Sequence, residues 1–395
     1  MKKITVLGGG NGAQALAGHL ASKGFPVTLF EHPRFRKQVH HLETEGTLEL
    51  RGAISAGGTL AGVTTDPGEA MRDADIAYFL APSFAQEEMF SLLAPHFRPG
   101  QKLLLMPGNF GSLMLQQSLG GSLPDGFLAA ESDTMPYACR IEAPGVVNVW
   151  GVKNFMAVAA LPPEQTETFI ASVQDAFPVP LRPAPNVISI GLSNTNMILH
   201  CPTMIMNAGR IESEDEGFRF YGDGMTESVC AVMEAMDRER MAVGRALGLN
   251  LLSTMDDMKE LYSIRGNTLR DTILNNTAYC GHGKDSPSSM KYRYLTEDVP
   301  YLLVPVFGIG KKLGVPMPVT ESIIRLASVI AGEDYLKTGR VLEGMDLTCR
   351  PERSEGPGSG GHPERSEGPG SRVLKTHPDP SSLAAPQDDS LCLSS

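Results

Sequence analysis

Three groups of residues in this chain have types and spacings that suit chemistry. The amino terminus reads Gly8-Gly9-Gly10-Asn11-Gly12-Ala13, a G-x-G-x-x-A turn of the kind that cradles a dinucleotide. Gly8 permits the tight turn, Gly10 lets backbone approach a pyrophosphate, and Ala13 packs the following helix closely. Asn11 and Gly12 complete the turn, where unpaired N–H groups at the helix start can face phosphate oxygens. Glu31 follows Gly8 by 23 residues, where a ribose-binding acid belongs, and its charge repels a 2′-phosphate. NAD is the expected cofactor. NADP stays open because Arg34, Arg36 and Lys37 come next and could meet a phosphate.

The second group centres on His200, in Asn196-Met197-Ile198-Leu199-His200-Cys201-Pro202. A proline inside a helix removes an intrahelical hydrogen bond and tends to kink it. An imidazole beside such a kink suits proton transfer near neutral pH, although a histidine satisfied within a core is the commoner case. The third group is Arg293-Tyr294-Leu295-Thr296-Glu297-Asp298-Val299-Pro300. Taken alone it reads as ordinary capping, with Thr296 as the cap and two acids in the first turn complementing the helix dipole.

The elements that must hold these residues follow from apolar spacing. Ile4–Leu7 and Val27–Phe30 flank the glycine turn as short buried strands. Residues 76–80 and 102–106 read as buried parallel strands separated by a helix near 84–96, and 48–65 reads as a hairpin. Ligands of doubly wound sheets bind beyond the carboxyl ends of the strands, so the turns at 81–83 and 107–111 are candidates to touch the cofactor. Asn109 could hold the nicotinamide end, though a Pro-Gly-Asn turn also favours Asn for conformational reasons alone. Beyond about residue 190 the spacing turns helical, over 193–210, 225–247, 253–264 and 321–331. The expected fold is an α/β Rossmann-type doubly wound domain (1–185) followed by an all-helical domain (186–345), with the site between them.

Five segments, GGGNGA, MPGNFGS (106–112), DTMPYACR (133–140), NMILHCPTMIMNAGRIE (196–212) and RYLTEDVPY (293–301), together make the chain resemble the octopine/nopaline (opine) dehydrogenase family over about residues 1–335. The resemblance implies a histidine acid/base, His200, an aspartate that orients it, Asp298, and an arginine five residues before that aspartate, Arg293, which helps bind a 2-oxo acid. It also implies that Asp133 and Thr134 lie near the amino-acid substrate, although a solvated acid at a strand end fits Asp133 as well. The implied reaction is reductive condensation: an amine adds to a 2-oxo acid, water leaves to give an imine, and NAD(P)H supplies hydride.

Two other readings remain at this stage. Gly151-Val152-Lys153-Asn154 looks like the G-x-K-N stretch of glycerol-phosphate dehydrogenases, where lysine is catalytic, so a hydroxy-acid dehydrogenase of glycerol-phosphate or ketopantoate type is the same-fold rival. Lys153 precedes the apolar run 155–161 rather than opening a helix of the second half, which counts against it. A non-catalytic NAD-sensing protein is the other alternative, disfavoured by the joint presence of His200, Arg293 and Asp298.

Composition agrees with small-molecule partners. Against 34 basic side chains stand 45 acidic ones, for a net charge of -11, which disfavours nucleic-acid binding. The six cysteines form no CxxC pair, so neither a metal site nor a disulfide framework is expected. With no 18-residue apolar run, a soluble cytoplasmic protein is expected, with no membrane partner and with a homodimer as one option for assembly. Gly, Pro and Ser make up 22 of the 45 residues from 351 to 395, with no aromatic, so 346–395 is read as a low-complexity tail that buries too little apolar surface to fold.

Overall fold

The short apolar runs of the first half become strands because each is long enough to cross a sheet and too short for a buried helix. In chain order they are β1 (Ile4–Leu7), β2 (Val27–Phe30), β3 (Thr47–Gly52), β4 (Ala56–Thr59), β5 (Gly62–Thr64), β6 (Ile76–Phe79), β7 (Lys102–Leu105), β8 (Leu128–Ser132), β9 (Tyr137–Ala143), β10 (Val146–Val152), β11 (Met156–Leu161) and β12 (Leu181–Pro183). The computed structural model describes residues 1–342 except 121, 122 and 215. The low-complexity reading of 346–395 lies outside the described residues.

Eight strands form the main sheet in the order β12-β11-β8-β7-β6-β1-β2-β5, parallel throughout except between β11 and β8. Both faces are covered, so the strands read as continuous apolar runs. Leu7, Phe30, Phe79 and Leu105 pack on one side, and Val6, Leu29, Tyr78 and Leu104 on the other. From β1 the chain moves outward through β2 to β5, then returns to β6 and proceeds the other way. The carboxyl ends of β1 and β6 are therefore the switch point at which this fold takes its ligand.

The expected hairpin at 48–65 forms only in part. β3 and β4 pair antiparallel, but β5 leaves them and adds parallel to β2 at the sheet edge. β3 also pairs with β10 of a second hairpin, β9–β10, giving a four-stranded sheet, β4-β3-β10-β9, which the sequence reading did not foresee. Its polar outer positions gave no long apolar run, yet it forms one wall of the cleft.

From Val187 onward the described chain is helical, with a methionine-rich core that includes Met197, Met204, Met225, Met233 and Met236. Flexible thioethers fill irregular gaps between helices. This half meets the sheet where the Val187–Ser193 helix passes Phe110, whose ring is fully buried. A Cβ on Gly191 would lie 2.2 Å from that ring. Gly191→Ala is therefore expected to destabilise the protein by about 1–3 kcal/mol through overpacking, and an unchanged urea midpoint would show that the joint yields freely.

Candidate active site

A cavity of about 510 Å³ runs from the glycine turn to His200. At the β1 end Gly8 has φ +118°, and a Cβ there would press on the Ala81 backbone at 3.3 Å, so the β1 and β6 turns approach as only glycine allows. Gly10 faces open space, since a Cβ there would meet nothing within 4 Å, which is the room a pyrophosphate needs. Gly9 is equally constrained, because a Cβ would lie 2.6 Å from the Glu31 carboxylate. That carboxylate accepts hydrogen bonds from Gly9 N at 2.8 Å and His32 N at 2.7 Å. Burial pushes Glu31 upward, while the two backbone donors hold it back toward the charged form. Asn11 and Gly12 also line the cavity; Asn11 Oδ1 accepts from Ile141 N at 2.9 Å, tying the turn to the small sheet. Ala13 lies buried behind the lining. These residues fit a dinucleotide: a cradle without side chains, a helix start, and an acid two strands in.

At the other end His200, on the Asn196–Met206 helix, is buried and held at both nitrogens. Nδ1 lies 2.7 Å from Asp298 Oδ2, and Nε2 lies 2.9 Å from the Tyr221 hydroxyl. With Asp298 ionised, Nδ1 donates to it and Nε2 accepts from Tyr221. Burial raises Tyr221 well above the usual phenol range, so it stays a neutral donor. The Tyr294 ring stacks on the imidazole at 3.8 Å between centroids and 21°, fixing the plane of the ring. Pro202 lies inside the same helix, where its missing N–H leaves the Ile198 carbonyl without a helical donor.

The capping reading of 293–298 is corrected by the structure. Arg293–Thr296 is a single turn capped by Tyr292, and Asp298 precedes a π-helical turn, Val299–Leu303, with no side-chain cap at either place. The two acids are turned to other partners. Asp298 holds His200. Glu297, 1% exposed, accepts from Ser83 N at 2.8 Å and Ser83 Oγ at 3.0 Å and ion-pairs with Arg293 at 2.8 Å. Glu297 thus joins the turn after β6 to the arginine, whose side chain is 44% exposed and lines the cavity.

Comparison with known proteins decides the family. Residues 183–331 match the NAD/NADP octopine/nopaline dehydrogenase alpha-helical domain, and residues 3–107 match the amino-terminal domain of NAD-dependent glycerol-3-phosphate dehydrogenase. The opine dehydrogenase of Arthrobacter sp. (strain 1C) is 32% identical over 355 residues, covering 88% of this chain and 96% of that protein. The chain belongs to the opine dehydrogenase family.

It is accordingly an NAD(P)-dependent oxidoreductase with a Rossmann-type and a helical part. Among solved structures, an octopine dehydrogenase with NADH and L-arginine superposes with TM-score 0.65 at 23% identity, covering 84% of this chain and 90% of that one. A ketopantoate reductase from Ralstonia eutropha JMP134 superposes with TM-score 0.59 at 21% identity, covering 84% and 98%. The shared fold therefore does not choose between the chemistries; the side chains of the cleft must.

In this member of the family two sequence assignments move. Asn109 does not line the cavity. Its Nδ2 donates to Ser83 Oγ and its Oδ1 accepts from Asn194, both at 2.8 Å, and its φ of 51° is left-handed, so the conformational reading of the Pro-Gly-Asn turn is the one the structure favours. Asp133 does not line it either. It is buried, accepts from Ala157 N at 3.2 Å, and sits on a smaller neighbouring cavity beside Asp257. Thr134 does line the cleft. Tyr221, Glu297 and Gly9 were missed. Their partners lie 21, 214 and 22 residues away, and no local pattern announces such pairings.

Among the described residues no group of His, Cys, Asp or Glu is placed to hold a metal, and no helix is long and apolar enough to cross a membrane.

Proposed function

We propose that this enzyme joins an amino acid to a 2-oxo acid reductively, with His200 as general acid/base. The observation that carries this is the Asp298–His200–Tyr221 chain, which opens into the same cavity as the glycine turn. When bound, the nicotinamide supplies hydride. His200 donates the proton that lets the carbonyl oxygen leave as water, and in reverse takes the proton of the secondary amine. Asp298 fixes the tautomer and stabilises the imidazolium, as a carboxylate on Nδ1 does. Arg293, steadied by Glu297, binds the 2-oxo acid carboxylate through its guanidinium. Residues 1–185 supply the cofactor cradle and 186–345 the acid/base. The relative solved with NADH and L-arginine supports the substrate class without identifying the amine used here.

NAD is preferred over NADP on this reading. The Glu31 carboxylate lines the cavity beside the glycine turn, where its charge would oppose a 2′-phosphate, and two of the nearby cations are already engaged, Arg34 with Glu88 and Arg36 with Glu43. Glu31→Ala should raise the Km for NADH about 10- to 100-fold, the loss of one or two charge-assisted hydrogen bonds, with a smaller effect on NADPH. A variant that keeps its full preference for NADH would show that Glu31 does not read the ribose.

The test of the reaction is NADH oxidation, followed by absorbance, across a matrix of 2-oxo acids and amino acids. Turnover requiring both substrates supports the proposal. Turnover with an oxo acid alone that needs Lys153 and ignores His200 would favour the hydroxy-acid reading. Flat absorbance with thermal protection by NAD would favour a sensor.

A further inference from the structure

Lys153 lines the cleft that His200 and Arg293 line, yet the mechanism leaves it without a task. It follows β10, where its backbone N–H donates to Pro136 O at 3.0 Å, and Asn154 beside it is tied to Glu260 O and Ser263 Oγ at 2.7 and 2.8 Å. The residue is therefore firmly placed, and it is only 8% exposed. Its ammonium donates to Thr134 Oγ1 and, at 3.0 Å, to Met135 O. Both acceptors are neutral, and among the described residues Lys153 has no ion-pair partner. A buried ammonium in that condition is costly unless an anion joins it. Asp133 and Asp257 act on it from the side of the smaller cavity without pairing. Burial pulls Lys153 down to about 8, while those two acids and Cys139 oppose the fall.

The chemistry of the reaction supplies the missing anion. The condensation proposed above joins two acids, so its product carries two carboxylates flanking one secondary amine. Arg293 accounts for one of them. Arg140 also lines the cavity but is solvent-exposed on β9, which leaves Lys153 as the buried cation for the second. We propose that Lys153, set by Thr134, binds the α-carboxylate of the amino-acid substrate, and so restricts the amine donor to α-amino acids. This rests on the reductive-condensation reading.

The experiment compares one ligand pair in the same protein sample: the amino acid with the best turnover in the substrate matrix, and the decarboxylated amine derived from it, used as a competitive inhibitor. In wild type the amine should bind about 10- to 100-fold more weakly than the amino acid, the size of one charge-assisted contact. Lys153→Met should raise the Km for the amino acid by about that factor while the amine's inhibition constant and the Km for the 2-oxo acid stay within a few-fold. Lys153→Arg should keep most of the discrimination. Because both constants come from one sample, partial loss of folded protein cancels in their ratio. An unchanged ratio in Lys153→Met overturns the assignment. So does a fall in kcat with the ratio preserved, which would place Lys153 in the proton transfers. A wild-type enzyme that turns over no oxo-acid and amino-acid pair overturns the condensation reading, and this anchor falls with it.

Discussion

His200→Asn is expected to lower kcat about a thousandfold, within the range for loss of a general acid/base, and to leave NADH affinity where it was. The asparagine amide can still donate to Asp298, so the buried carboxylate keeps a partner and the helix keeps its packing. What disappears is the nitrogen at the Nε2 position, 2.9 Å from the Tyr221 hydroxyl, the only atom of the side chain that can exchange a proton with the cleft. Asp298→Asn should cost a comparable amount for a different reason. An asparagine that donates to Nδ1 drives the imidazole proton to Nε2, which then competes with the Tyr221 donor and cannot accept from substrate. Since the two residues act as one unit, the double variant should be little worse than the worse single one. Steady-state NADH oxidation measures turnover, and a titration of NADH fluorescence measures binding. A His200→Asn enzyme working within a few-fold of wild type would end the acid/base assignment.

What could be read from the sequence divides along a physical line. Features that a few neighbouring residues impose on their own backbone were legible. Gly8 and Gly10 permit a close approach, Val27–Phe30 leads directly to Glu31, and the apolar runs at 76–80 and 102–106 can only be buried strands. Features that require a partner from another part of the chain were not. Glu297 looks like a capping acid until Ser83, 214 residues earlier, is brought to its carboxylate. Asn109 looks like a ligand to the cofactor until Asn194 and Ser83 take both ends of its amide. Lys153 stood out only through a four-residue pattern, and its burial in the cleft depends on β9 and β10, a hairpin with too little apolar contrast to be expected. The family resemblance bridged part of this gap by pairing His200 with Asp298, 98 residues apart, but it said nothing of Tyr221.

The second large effect is expected at a residue no motif marks. Arg340 is 8% exposed at the end of the described chain and reaches back into the sheet half. It donates to Gln86 Oε1 at 2.8 Å, to Ser83 O at 3.4 Å and to Asn109 O. Glu131, which no solvent reaches, accepts from Phe110 N at 2.9 Å and Ser112 N at 2.7 Å at the start of the Gly111–Ser118 helix. Burial drives both groups toward neutrality, Glu131 upward and Arg340 down to about 10, and each opposes the other's shift. The two are not paired directly; removing Arg340 takes away a compensating charge and leaves Gln86 Oε1 and Asn109 O without their buried donor. Arg340→Met should therefore destabilise the protein by about 3 kcal/mol, the cost of leaving buried acceptors unsatisfied, lowering the melting temperature by several degrees in a body of this size. The same substitution should reach the active site. Ser83, held by Arg340 from one side, holds Glu297 from the other, and Glu297 holds Arg293. The Km for the 2-oxo acid should rise in the folded fraction of Arg340→Met, with the Km for the amino acid nearly unchanged. A variant that melts within about 1 °C of wild type and keeps its Km would show that water or a shift of Gln86 replaces the guanidinium, and that the link from Arg340 to Arg293 carries no strain.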